Sequence, residues 1–337
     1  MRDNSSDHKG FTRRQILTGM SVLAASTAFP GLAFADMAKP KQQFITFGSS
    51  SIGGAWFSMA GAISDLITRE YPELRITTEA TGGTRDNINL MKAGEIELGL
   101  TSNAEAYQAI NGQEPFSSVI DNFSVVMNGG SINWQMYTLD PDIKTIYDLK
   151  GKRVSLGAPG SVGNKVGEAV IEAHGLKMGE DWKADYLSHG GGPDALRDGS
   201  IDVVLIISAI PTAPIIDITS SHGDKVYFIN PDPEIIKKMK EDAPYMLDVT
   251  IPGGTYNGHP DDIPGTFGYA TILIASNELS DEAVYAAIKT ICENPKKLES
   301  AHANGRDWKL ETALVGVEGV LPIHPGAEVY LKEQGLL

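Results

Sequence analysis

The sequence predicts an α/β fold of two similar lobes, and two observations carry this prediction. Short apolar segments alternate with helical patterns along the first two thirds of the 337-residue chain, which is typical of parallel β-α-β units. The same order of elements then occurs a second time. Gly48 and Gly157 match at an offset of 109 residues, and Gly94 and Gly199 match at an offset of 105. A duplicated unit of about 100 residues indicates two lobes that each bury a core of their own.

In the first lobe, each predicted strand ends in small polar residues and glycines. The first strand leads into a helix whose apolar face includes Trp56, Met59 and Ile63. The predicted strands and the segments that follow them are 44–47 before 48–54, 74–78 before 81–86, and 96–100 before 101–103. We therefore expect three parallel strands whose carboxyl ends share one edge of a sheet.

The second lobe is predicted to repeat this arrangement, and the chain then returns to the first lobe. Its strands and following segments are 153–156 before 157–164, 184–187 before 188–194, and a third strand at 201–205. We expect crossovers near 125–140 and 250–270, with hinge strands at 124–128 and 269–273. The predicted boundaries are 1–35 for an export signal, 36–139 for the first part of lobe 1, 140–262 for lobe 2, and 263–337 for the return to lobe 1 with C-terminal helices.

Composition excludes several functional classes. Hydrophobic residues make up 42% of the chain and charged residues 21%, as in ordinary globular proteins. The formal net charge of −15 argues against nucleic-acid binding, because phosphate backbones repel an acidic surface. The single cysteine, Cys292, excludes an intramolecular disulfide and a cysteine-rich zinc site, and its helical surroundings favour a packing role. The seven histidines form no metal-binding motif, so we expect neither a metal nor a cofactor.

Residues 1–35 predict an export signal rather than part of the fold. Arg13-Arg14 precedes an apolar run that ends in Ala33-Phe34-Ala35, a small-x-small sequence of the kind that signal peptidase accepts. The run is too short and too interrupted to span a bilayer stably. We expect cleavage after Ala35 and a soluble mature protein in the periplasm. The two arginines resemble a twin-arginine signal, and general secretory export stays open as the alternative.

The predicted strand ends favour a binding cleft for an anion. Ligands of open α/β sheets bind beyond the carboxyl ends of the strands. Backbone N–H groups and helix N-termini at such loops suit an anion. Each of these segments, taken alone, is equally consistent with an ordinary βα turn, and the duplication is what favours binding.

Arg85 follows the second strand end in a chain that is short of positive charge. An arginine in a cleft is the natural bidentate partner of a carboxylate. The alternatives are a salt bridge to Asp86 or a solvated helix start. Phe57 is predicted either as a wall of the ligand site or as part of the core, and Trp56 is assigned to the core.

Sequence motifs for catalysis are weak. Ser161 lies in Gly160-Ser161-Val162-Gly163, which falls short of the Gly-x-Ser-x-Gly nucleophile elbow. The segment 48–54 lacks the Gly-Lys-Ser/Thr ending of a nucleotide-binding P-loop. We expect no enzymatic activity. The alternative is an exported hydrolase of a small ester or amide that uses Ser161 with His189.

The sequence resembles a TAXI-type solute receptor of the tripartite ATP-independent periplasmic (TRAP) transporters over essentially the whole mature chain. The segments that carry the resemblance are 47–57, 81–84 with Asn87, 93–100, 149–157, 159–161, 251–256 and 321–327. The resemblance implies a type II periplasmic-binding-protein (Venus-flytrap) fold with a ligand cleft between its lobes. It also implies delivery of a small carboxylate or amino acid, such as glutamate, to a TRAP permease driven by an ion gradient, commonly of sodium. We expect the receptor itself to be a monomer.

The sequence departs from the family pattern at two places that are expected to face the ligand. Thr84-Arg85-Asp86 replaces a more common small-apolar-acid sequence, and Gly163-Asn164 replaces a usual Gly-Thr. The solute of a typical relative therefore does not transfer directly to this chain. The candidate ligand-binding residues are Ser49, Ser50, Ser51, Phe57, Thr81, Gly82, Thr84, Arg85, Asn87, Ser102, Asn103, Pro159, Gly160, Ser161, Asn164 and Ser208.

Overall fold

Ten strands form one continuous sheet in the computed structural model, which describes residues 37–52, 55–157, 162–188 and 190–337. The main path of the sheet has the order β2-β1-β3-β10-β4-β7-β5-β6, while β8 pairs with β4 and β9 pairs with β10. The strands are β1 Gln43–Gly48, β2 Leu74–Glu79, β3 Leu98–Ser102, β4 Phe123–Thr138, β5 Arg153–Ser155, β6 Lys183–Asp185, β7 Val203–Ser208, β8 Tyr227–Ile229, β9 Leu247–Ile251 and β10 Ile263–Ser276.

Helices connect the parallel strands in both halves of the sheet. In order, they are α1 Ala55–Glu70, α2 Thr84–Ala93, α3 Asn103–Ile110, α4 Val162–Ala173, α5 Gly191–Arg197, α6 Ala213–His222, α7 Pro233–Asp242, α8 Asp281–Glu293, α9 Pro295–Ala301 and α10 Pro325–Glu333. None of the helices in the described ranges is both long and apolar enough to cross a membrane.

The first half of the sheet contains β1, β2 and β3. β1 lies between the other two and pairs with both in parallel. All five residues of β3 are buried, as is typical of a strand covered on both faces. The predicted apolar face of α1, including Met59 and Ile63, packs into the core of this half. The carboxyl ends of the three strands lie together, as the sequence predicted.

The second half of the sheet is built around β5, β6 and β7. β5 pairs in parallel with β6 on one side and with β7 on the other. β7 is an uninterrupted apolar strand up to Ser208, and its buried side chains Val203 and Leu205 pack with Val170 of α4 in a second core. The two halves thus repeat the same parallel arrangement with separate cores.

Two long strands, β4 and β10, join these halves. They pair antiparallel from Phe123↔Ser276 to Asn133↔Gly268. Beyond this stretch, β4 also pairs with β7, and the first residues of β10 pair with β9. The segments 124–128 and 269–273, predicted as hinge strands, lie in β4 and β10. The prediction of an α/β fold with two similar lobes is confirmed. The proposed boundaries at 139/140 and 262/263 stay predictions, since both long strands run through both halves.

Candidate functional site

A cavity of about 510 Å³ lies between the two halves of the sheet. The first half contributes α1, α2 and α3, the second half contributes α4, and the long strands contribute Ile132 and Tyr269. The lining residues are Trp56, Thr84, Arg85, Ser102, Ala104, Glu105, Gln108, Glu114, Pro115, Ile132, Lys165, Val166, Tyr245 and Tyr269. Its size falls in the range of small-molecule sites, which is roughly 300–1,000 Å³. We call it the interlobe cavity.

A smaller cavity of about 170 Å³ shares Trp56 and Ile132 with the interlobe cavity. Ser208, at the carboxyl end of β7, lies in its wall together with Ser131 and Asp307. Burial raises the pKa of the Asp307 carboxyl, although Arg306 and Lys309 oppose the shift. Trp56 and Ile132 therefore line both of these adjoining spaces, and among the predicted site residues that the structure describes only Ser208 lines the smaller one.

Arg85 lies in the first turn of α2, where the chain leaves β2, and its side chain lines the interlobe cavity. Its Nε atom is buried and has no hydrogen-bond partner, and the guanidinium forms no ion pair with any described residue. The Asp86 carboxylate instead accepts a hydrogen bond of 2.8 Å from the backbone N–H of Gly82. The structure thus does not form the alternative Arg85–Asp86 salt bridge, and no described residue pairs with this cation at the cavity.

Glu105 lies on the same wall, and the sequence analysis missed it. Its two carboxylate oxygens accept hydrogen bonds from the hydroxyls of Thr84 (3.0 Å) and Ser102 (2.8 Å). The Ser102 hydroxyl in turn accepts a bond from the Glu105 backbone N–H and caps α3. The three-residue spacing of Ser102 and Glu105 is that of a capping box, so this signal was available in the sequence.

Aromatic rings form another wall of the interlobe cavity. Trp56, which the sequence analysis assigned to the core, packs partly against the core but also lines the cavity. Tyr245 and Tyr269 were not predicted, and their ring centroids lie 6.1 Å apart. Desolvation by burial raises the pKa of both phenols. Both hydroxyls therefore stay protonated and uncharged at neutral pH.

Several predicted site residues hold the strand ends together instead of lining a cavity. Asn87 and Ser49 are fully buried. The Asn87 amide donates hydrogen bonds to the carbonyls of Ser49 (2.9 Å), directly after β1, and Leu100 (2.7 Å), in the middle of β3. The Thr81 hydroxyl donates to the Asn87 Oδ1 atom at 2.7 Å. Asn87 thereby connects the end of β1, the middle of β3, α2 and the loop after β2.

Asn103 has a similar structural role and is fully buried. Its Oδ1 atom accepts a hydrogen bond from the Ala270 backbone N–H at 3.0 Å. Its Nδ2 atom donates to the carbonyls of Tyr245 (2.8 Å) and Gly316 (3.0 Å). Asn103 therefore fixes the backbone that carries Tyr245 and positions a wall of the interlobe cavity without being part of that wall.

The remaining predicted site residues lie outside both cavities or outside the described ranges. Ser50, Ser51, Phe57 and Gly82 are described but do not line either space. The Asn164 amide donates to the Glu168 carboxylate at 2.6 Å. Outside the described residues lie Pro159, Gly160, Ser161, His189 and the export signal 1–35. The roles of those residues, including the hydrolase alternative, stay predictions.

The family assignment comes from a model described as the NMT1-like family, which matches residues 47–335. This chain belongs to the NMT1-like family. The match spans nearly the whole of the fold described above, from the end of β1 to the turn after α10. Within the described part of this NMT1-like protein, no group of three His, Cys, Asp or Glu side chains is placed to hold a metal ion.

Solved structures similar to this NMT1-like protein include several binding proteins. The alkanesulfonate-binding protein SsuA from Xanthomonas axonopodis pv. citri is 17% identical, with 88% of this chain and 84% of that chain covered and a TM-score of 0.41. The aliphatic sulphonate binding protein SsuA from Escherichia coli is 15% identical, with 87% and 84% covered and a TM-score of 0.45. The probable amino-acid binding protein ytmK from Bacillus subtilis is 12% identical, with 77% and 96% covered and a TM-score of 0.44.

Replacing Asn87 should destabilise the protein because the Asn87→Ala change leaves two buried carbonyls without their donor. We expect the free energy of unfolding to fall by about 1–3 kcal/mol or more. The matched control is Asn89→Ala, on the exposed face of the same helix, which should change it by no more than about 0.5 kcal/mol. Urea unfolding followed by circular dichroism measures both. Equal stability of the two variants would contradict the structural role of Asn87.

Proposed function

We propose that this NMT1-like protein is an extracytoplasmic receptor, exported by the signal in residues 1–35, that binds a small carboxylate in the interlobe cavity. The observation that carries the proposal is Arg85, a cavity-lining cation with a buried Nε atom and no partner among the described residues. A buried carboxylate needs a compensating charge or several hydrogen bonds. A guanidinium supplies both, since it can hold a carboxylate by two parallel bonds.

Charges on both halves support binding by closure around the solute. Arg85 belongs to the first half of the sheet, and Lys165 reaches the cavity from α4 of the second half. The carboxylates of Glu105 and Glu114 lie in the same lining. They offer an acceptor for the ammonium group of an amino acid. Carboxylates and amino acids, with glutamate as one member, therefore form the proposed solute class.

One hydrogen bond across the two halves supports the closed arrangement. Arg306, in the turn Ala303–Asp307 that packs on the first half, donates a 2.8 Å bond to the carbonyl of Ile210, directly after β7. Neither residue lines the interlobe cavity. The bond therefore can affect solute affinity by favouring closure without touching the solute.

We propose further that the receptor delivers its solute to a TRAP permease of the TAXI type and performs no chemistry on it. The segments that resemble TAXI receptors, such as 47–57 and 321–327, support the choice of permease. The described lining of the interlobe cavity has hydroxyls from Thr84 and Ser102 but no histidine to activate them. Binding and release are thus the activity that these residues can support.

Removing the cation at position 85 should abolish most of the affinity. For the tightest-binding carboxylate of a thermal-shift panel, Arg85→Ala should weaken Kd by about 30-fold to several thousandfold, the loss of a charge-assisted partner. Arg85→Lys should retain only part of the wild-type affinity, because an ammonium group cannot form the bidentate pair with a carboxylate. The control is Arg75→Ala on β2, whose guanidinium lies 5.8 Å from the exposed Phe44 ring. Calorimetry that gives the same Kd for Arg85→Ala and wild type would overturn the proposal.

Replacing Arg306 should favour separation of the two halves. We expect Arg306→Ala to weaken Kd by about two- to tenfold, the usual contribution of one hydrogen bond, and to increase the radius of gyration of the solute-free protein in small-angle scattering. Arg69→Ala is the control, because Arg69 pairs only with Asp65 of its own helix. An unchanged Kd and radius of gyration would show that the bond to Ile210 does not contribute to closure.

The energy source that drives uptake tests whether the partner permease is of the TRAP type. In proteoliposomes that contain the membrane permease and no ATP, we expect this receptor to support uptake of a labelled carboxylate when a sodium gradient is imposed. The Arg85→Ala receptor should not support it. Uptake that requires internal ATP and ignores the gradient would replace the TRAP assignment with an ATP-driven transporter and leave solute binding intact.

A further inference from the structure

Most of the interlobe cavity wall away from Arg85 is apolar or aromatic. The residues that make up this part of the wall are Trp56, Ala104, Pro115, Ile132, Val166, Tyr245 and Tyr269. The lining hydroxyls of Thr84 and Ser102 are already engaged with the Glu105 carboxylate. The cavity therefore offers the Arg85 guanidinium, whose Nε atom is buried and has no partner among the described residues, beside a large apolar and aromatic surface, while its other cation, Lys165, is exposed.

The aromatic part of this wall is held in place before any solute binds. The ring of Tyr245 lies 5.3 Å from that of Tyr107 and 6.1 Å from that of Tyr269. The ring of Tyr269 in turn stands perpendicular to that of Phe267 at 5.9 Å. Asn103 fixes the Tyr245 backbone through its carbonyl. A wall whose rings support one another loses little freedom when a flat solute packs against it.

We propose, resting on the proposed function, that the solute is a monocarboxylate with an aromatic body. Its carboxylate pairs with Arg85, and its ring packs against Trp56, Tyr245 and Tyr269. Aromatic pairs with centroids about 4.5–7 Å apart are favourable beyond the area that they bury. The ring occupies the apolar part of the wall, which no polar solute can fill without losing hydrogen bonds to water.

A solute with several charges fits this wall less well. The second carboxylate and the ammonium group of glutamate each need a partner when they leave water. Glu105 already accepts two hydrogen bonds, and Glu114 and Lys165 are exposed, so pairs that they form with the ammonium group and the second carboxylate of glutamate stay solvated and contribute little. Away from Lys165 and Gln108, a second carboxylate inside the cavity would face mainly aromatic rings and aliphatic side chains. Among carboxylates, the wall therefore selects against glutamate and succinate.

A matched series of probes tests this inference on the purified protein. We expect phenylacetate or 3-phenylpropionate to bind at least about tenfold more tightly than succinate and glutamate in calorimetry. Phenylacetamide, which keeps the ring and lacks the charge, should bind with an affinity about 30-fold or more lower than that of phenylacetate. Trp56→Leu and Tyr245→Leu should each weaken binding of the aryl acid by about two- to tenfold. The control Phe44→Ala should leave binding of the aryl acid unchanged, because Phe44 lies at the amino end of β1 and is 71% exposed.

The outcomes separate this inference from the function on which it rests. Tighter binding of glutamate or succinate than of both aryl acids would overturn the aromatic body and leave the carboxylate receptor standing. Absence of binding by every carboxylate in the series would overturn the proposed function and the inference together. The wild-type series decides between these results, so the inference stays testable even where a wall variant fails to fold.

Discussion

The antiparallel pairing of β4 with β10 joins the two halves of the sheet and also forms part of the interlobe cavity. Ile132 and Tyr269 are directly opposite each other in this pairing, and both line the cavity. Burial along β4 decreases only at residues 130–132, where the strand passes from one half to the other. Because side chains alternate between the faces of a sheet, a shift of one residue would move Tyr269 away from the solute. The register of two strands thus determines both the architecture and the wall of the site.

The sequence located the strand ends only approximately, since β3 and β7 continue to Ser102 and Ser208 beyond the predicted ends at 100 and 205. It also could not tell which polar residues near those ends bind the backbone and which line the cavity. Arg85, Thr84 and Ser102 line the interlobe cavity, as the strand-end argument expected. Asn87, in the same α2 turn, instead donates its hydrogen bonds to the carbonyls of Ser49, directly after β1, and Leu100, within β3. A buried carbonyl must find a donor wherever the fold places it. A short polar side chain at a βα turn therefore looks the same in sequence whether it serves the backbone or a ligand.

The aromatic wall could not be predicted from local patterns because long-range contacts build it. Tyr245 follows α7 in a loop, and Asn103, 142 residues earlier in the chain, fixes its backbone. From its local sequence, Tyr269 is indistinguishable from any buried strand residue. The antiparallel pairing of β10 with β4 is what places it at the cavity. Glu105 differs from these tyrosines because its three-residue spacing from Ser102 is a signal within the local sequence. Local spacing reveals helix caps, whereas pairing between distant strands decides which rings share a wall.

The negative charge of the chain makes the position of Arg85 important. A net charge of −15 repels an approaching anion, but at physiological salt that repulsion is screened beyond about 8 Å. Inside the cavity, screening is weaker and one guanidinium dominates the interaction. Arg85 has no carboxylate partner in the described structure, so an anionic solute replaces water at this group and does not have to displace a protein acid. Short-range pairing with an otherwise unpartnered cation is how an acidic protein can select an acidic solute.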